Sequence, residues 1–110
     1  MVNIVVYLED NKYKGFQIEG HTEYEEKGKD IICSGISAIA QTAALGLKKY
    51  TYEFTKIEIW DGLLRCIVDL ENLNYLEDIR VQTVIDTMLL GLENLQESYK
   101  DYMKITKEVY

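Results

Sequence analysis

In 110 residues the chain has no proline, one histidine, one tryptophan and two cysteines. Each scarcity excludes something. Without proline or low-complexity tracts nothing marks a linker, and a chain of this length suits one hydrophobic core, so a single domain over residues 1–110 is expected. One histidine and a nearby cysteine fall short of the three or four ligands of a zinc site, so neither a metal nor another cofactor is expected. Gly15, Gly20, Gly28 and Gly35 lack the spacing of a phosphate cradle, and no GxGxxG, Walker or HExxH pattern occurs, which argues against nucleotide chemistry. Basic residues are outnumbered, 12 Lys and Arg against 19 Asp and Glu, for a net charge of −7. That balance disfavours direct contact with nucleic acid and suits a basic protein partner. No apolar run reaches the roughly 20 residues of a membrane span. The start MVNIVVYLEDNK has neither a basic leader nor a small-residue cleavage site, so a soluble, cytoplasmic protein with reduced thiols is expected.

The residues that are present alternate between two periods. VNIVVYL is β-branched and aromatic, and beyond the turn-prone Asp10-Asn11 the segment YKGFQIEG sets Phe16 and Ile18 two apart, which predicts a β-hairpin. TEYEEKGKD, residues 22–30, is polar without apolar period and reads as an exposed loop, its glutamates solvated or turned toward a basic substrate. Asp30 is a natural N-cap for a helix from Ile31 to Tyr50, where Ile36, Ala40, Ala43, Ala44 and Leu47 recur at three and four residues. FTKIEIW and LLRCIVDL form a second hairpin about Asp61-Gly62, with Leu64, Cys66, Val68 and Leu70 on one face. Ile85, Met88, Leu89, Leu92, Leu95 and Tyr99 mark a long helix from about Tyr75 to Ser98, and alternation in DYMKITKEVY predicts a short final strand. The order ββαββαβ implies an α+β fold: two layers, a mostly antiparallel sheet packed against two helices.

Chemistry concentrates in GHTEYEEKGKDIICSGISA, residues 20–38. With Asp30 as N-cap, Cys33 is the third helical residue, in the turn whose backbone N–H groups and dipole favour a thiolate and can donate to an oxyanion. His21, at the end of the second strand, is placed to reach such a thiol as base and then acid. A bland reading stands beside this one: a cysteine inside a helix's first turn is commonly a small buried hydrophobe, and Asp30 is explained by capping. Ser37 lies one turn beyond Cys33 and either bonds near the thiol or back-bonds to its own helix. Gly20 suits a bulge or a hinge. Cys66, on the apolar face of a strand, reads as core.

Gly20-His21, the polar loop with Gly28, then Asp30-Ile31-Ile32-Cys33 and Ser37 resemble the ribosomal-processing cysteine protease family of Firmicutes and related bacteria, whose pattern is roughly G-H-A…G-x-D-I-V-C-A-A-V-S. The likeness extends through LLGLENL and ESYKDYMKI, over nearly the whole chain. The resemblance implies an endopeptidase that removes the N-terminal extension of the large-subunit ribosomal protein L27, a basic substrate, in support of ribosome assembly. By position Cys33 would be the nucleophile and His21 the general base, with Asp30, Ser37 and Gly20 as supporting residues. Tyr24 and Gly28 would contact substrate within a loop that orders around it, and the family commonly forms homodimers. Thr22 stands where the pattern has alanine, and Ser34-Gly35 replaces an alanine pair. Other functions for the same features are a non-catalytic assembly module that binds a basic ribosomal protein, and a thiol redox sensor.

Overall fold

The structure, a computed structural model, describes residues 1–20 and 29–110. Its elements are β1 (Val2–Glu9), β2 (Lys12–Glu19), α1 (Lys29–Tyr50), β3 (Thr55–Trp60), β4 (Leu63–Val68), α2 (Tyr75–Tyr99) and β5 (Met103–Val109). Single 3-10 turns at Tyr52–Phe54 and Leu70–Asn72 lead into β3 and α2. The ββαββαβ order and the α+β class agree with the expectation from sequence.

Asp10 and Asn11 both hold positive φ, 51° and 63°. That pair matches the twist of the flanking strands and closes a two-residue hairpin, with Glu9 opposite Lys12. Tyr7 pairs with Gly15 but Leu8 with Tyr13, so Lys14 is an extra residue bulged out of β2. Gln82 on α2 clips this irregular stretch to the helix layer. Its side-chain carbonyl accepts from the Tyr13 N–H at 2.7 Å and its amide donates to the Tyr13 carbonyl at 2.8 Å.

The sheet order is β3-β4-β2-β1-β5. Every pairing is antiparallel except β1 with β5, where Ile4 faces Ile105 in parallel register. Alternation along a strand cannot tell a parallel partner from an antiparallel one, and here the long α2 crossover is what permits the parallel return. One face of the sheet carries both helices. It presents Ile4, Val6, Phe16, Cys66, Val68 and Met103 to α1 residues Ile36, Ala40, Ala44 and Leu47 and to α2 residues Val81, Ile85 and Leu92, all essentially inaccessible. Leu70, expected to continue the apolar face of β4, lies in the 3-10 turn. An Asn74–Glu77 capping box starts α2.

Two expectations need correction. The stretch Ile31–Tyr50 is long and apolar enough, by length and composition, to cross a membrane, contrary to the reading of the sequence. Its apolarity has a structural use, since one stripe of α1 packs on the sheet and another meets α2. Those helices run antiparallel, with Gly35 against Leu95, Ile39 against Gly91 and Gly46 against Val84. Asp30 is also not the N-cap: it lies within α1, described as Lys29–Tyr50. An acidic residue is as favourable inside the first turn as before it, so composition alone does not fix the boundary.

The Gln82 clip makes a stability prediction. Gln82→Ala leaves the donor and the acceptor of Tyr13 without their partner and should cost roughly 1–3 kcal/mol, read as a lower midpoint in urea with an unchanged slope.

Candidate active site

Cys33 lies four residues beyond Lys29, one turn into the described part of α1. Its N–H has a carbonyl four positions back within the helix, and the amides nearer the helix start belong to the preceding turn. Side chains on a helix tilt toward its N-terminus, which leans the thiol over that turn. The thiol thus leans toward the backbone amides that precede Cys33 on α1.

Cys33 is half-buried and packs on the edge of the core. With Ser37 it lines a cleft of about 260 Å³ whose floor is made of Val2, Ile18, Ile36 and Ala40. Gly20, Gln41 and the β3–β4 turn complete the walls. Three of the residues singled out from sequence, Gly20, Cys33 and Ser37, thus meet in one cavity. Gly20 holds φ of +111°, and a Cβ there would come within 2.6 Å of the Met1 carbonyl, so both dihedral and space require glycine. Its N–H donates to the Gly62 carbonyl at 2.9 Å, tying the end of β2 to the β3–β4 turn at the rim. His21, Thr22, Tyr24, Gly28 and the rest of the expected substrate loop through residue 28 lie outside the described residues.

Ser37 does not back-bond to its helix. Its hydroxyl oxygen accepts from the Gln41 side-chain amide at 2.7 Å, which leaves the Ser37 proton directed by its other neighbours. Gln41 was missed in the sequence, although its i+4 spacing from Ser37 is a readable signal. Ile59 and Trp60, also at this cleft, are 73% and 65% exposed. Alternation had placed Ile59 on the covered face with Ile57; it is on that face, but at the uncovered end of an edge strand. Gly35 costs little room: among the described residues a Cβ there would touch only Leu95, at 3.8 Å, which leaves space for an alanine.

Both cysteines remain thiols. Cys66, as read from sequence, is core, and burial pushes its thiol up to about 12. Among the described residues no cluster of His, Cys, Asp or Glu is arranged to hold a metal ion. Between the helices, on their outer side, a larger apolar depression of about 580 Å³ is lined by Ala38, Thr42, Gly46, Val84 and Gly91, and it holds neither cysteine.

An α+β domain with a cysteine on the first turns of a helix, set at the mouth of a cleft, is the framework of a thiol peptidase. Residues 1–104 match the family described as cysteine protease Prp, and the chain belongs to that family. It is a cysteine protease of the ribosomal-processing type. The ribosomal processing cysteine protease Prp of Bacillus subtilis (strain 168) is 25% identical over 91% of this chain and 90% of its own length. The essential ribosomal processing protease Prp of S. aureus in complex with a substrate peptide superposes with a TM-score of 0.81 at 22% identity, covering 98% of this chain and all of that one. The same S. aureus protease with a covalently linked product peptide gives 0.79 at 23% identity over the same shares.

The two thiols should part company under alkylation. Treatment of the folded protein with iodoacetamide near pH 8 should label Cys33 and spare Cys66, whose burial keeps it neutral and out of reach. Peptide mass mapping of native and denatured samples checks it.

Proposed function

We propose that the protein removes the N-terminal extension of the large-subunit ribosomal protein L27, with Cys33 as nucleophile and His21 as general base. The observation that carries this reading is that Cys33 and Gly20, the residue immediately before His21, line the same cleft. In this mechanism His21 takes the Cys33 proton and the sulfur attacks the scissile carbonyl. The amides at the start of α1 hold the oxyanion, and His21 returns the proton to the leaving amine. Water then hydrolyses the thioester. Product linked covalently to the S. aureus relative supports a covalent course. Asp30, in the first turn of α1, and Ser37, anchored by Gln41, support the pair, while Tyr24 and Gly28 contribute substrate contacts. The net charge of −7 suits a basic ribosomal protein by steering its approach.

The same reading takes the protein as a cytoplasmic homodimer. The apolar depression between α1 and α2 supports a second copy, because its small residues let another surface approach closely. Light scattering on the purified protein should give the mass of two chains.

Cleavage is tested with extended L27 and purified enzyme. Cys33→Ala and His21→Ala should each lower kcat/KM by roughly 10³-fold or more while leaving the fold intact by circular dichroism. Equal processing by mutant and wild type would overturn the assignment.

A further inference from the structure

β3 is an edge strand: among the described residues β4 is its only neighbour in the sheet, and the hydrogen-bonding groups along its other side have no strand partner there. Natural edges are blunted by proline, bulges or inward charges. β3 has none of these on its helix side. Its register with β4 runs unbroken from Thr55 opposite Val68 to Trp60 opposite Leu63. Its two charges, Lys56 and Glu58, pair with each other at 3.4 Å and alternate with Ile57 and Ile59, so they belong to the opposite face.

The helix-side flank of this edge is a groove with the nucleophile at one end. α1 presents Cys33, Ser37, Gln41, Leu45 and Lys48 at spacings of four, four, four and three, a single stripe along its length. Two depressions lie between that stripe and β3. The first, of about 260 Å³, has Cys33, Ser37 and Gln41 on one side and Ile59 on the other. The second, of about 350 Å³, has Lys48 and Tyr52 against Thr55 and Ile57. Leu45, on the stripe between them, is 67% exposed and Tyr52 69%. Ile59, Ile57 and Thr55 are alternate residues on one face of β3, and a strand repeats its side-chain direction every two residues, about 7 Å. A chain laid along the edge would therefore drop alternate side chains into the two depressions while its backbone met the open groups of β3.

We propose that the polypeptide substrate binds as an added strand on the free edge of β3, delivering its scissile carbonyl to Cys33 at the Ile59 end of the groove. The occupant is a polypeptide in extended form because the groove is continuous with the cleft of a cysteine protease, and because an open strand edge recognises main chain, which any peptide supplies. Sequence preference then comes from alternate side chains, one in the Ile59 depression and others toward Tyr52 and Lys48. This inference rests on the Cys33 cleft being the site of cleavage.

The test is an N-methyl scan of a synthetic peptide that spans the extension and cleavage point of the host's L27, confined to residues at least two from the scissile bond. Binding is read by fluorescence anisotropy with the Cys33→Ala protein, and turnover separately with wild type. Methylation at one parity removes donors aimed at β3 and should weaken binding tenfold or more, whereas the other parity should change it less than threefold. A flat response, or a loss that ignores parity, overturns strand addition, as does failure of the peptide to bind. Failure of wild type to cleave a peptide that binds with this alternation would overturn the L27 reading and leave strand addition supported. Tyr52→Ser supplies a second measurement: it should raise KM for the full peptide and not for one truncated short of the second depression, and an equal effect on both would overturn the assignment of that depression.

Discussion

The small-residue stripe of α1 sets the distance between the helix layer and the sheet, and the rest of the structure depends on that distance. Ala40 and Ala44 are buried against the strands with Ile36 and Leu47. Larger side chains at the alanines would lift the helix, open voids around Phe16 and Cys66, and change the depth of the cleft between α1 and the β3–β4 turn. Cys33 and Ser37 lie on the flank of this same helix, adjacent to the stripe. The helix that packs on the sheet is thus the one that carries the thiol, and core packing fixes the position of the sulfur with respect to Gly20 and Ile59. Were Cys33 the nucleophile, as proposed, its seat on a rigid element would supply the positioning that catalysis needs.

Much of this was legible in the sequence because each element has a clean period. The alternation of Ile57, Ile59, Leu64, Cys66 and Val68 and the three-four spacing of Ile36 to Leu47 are strong signals, and Asp10-Asn11 and Asp61-Gly62 are unambiguous turns. What the pattern could not supply is tertiary. The parallel pairing of β5 with β1 is decided by which edge the crossover reaches, and no residue of MKITKEV encodes it. Exposure of Ile59 follows from its place at the end of an edge strand. Within the site, Cys33 and Ser37 were readable from their spacing, whereas Gln41 becomes part of it only through its bond to Ser37. Asp30 reads as the cap of α1 in the sequence and lies within the helix, which extends further toward the N-terminus than Ile31.

The two cysteines show how little of reactivity resides in residue type. Cys66 is sealed under the helices, where removing a thiolate from water is so unfavourable that its proton is retained to about pH 12. Cys33 lies at a helix start with a cavity beside it. The sequence contains both in apolar surroundings, DIICSG and LLRCIV, and only the distinction between strand interior and helix start separates them. That distinction also bears on a redox-sensor reading, since the second thiol of the chain, Cys66, is sealed in the core.

Among the described residues, the edge of β3 beside the Cys33 cleft is open, which is both a hazard and an opportunity. An edge strand is an aggregation hazard, and β3 has neither proline nor bulge to blunt it. Its six residues are short, however, and the Lys56–Glu58 pair keeps the uncovered face of the sheet charged at that edge, so only the helix side invites a partner. On that side two depressions lie between β3 and the α1 stripe, one of them lined by Cys33. Under the proposed strand addition, the hazard of an exposed edge and the binding of an extended peptide draw on the same main-chain groups.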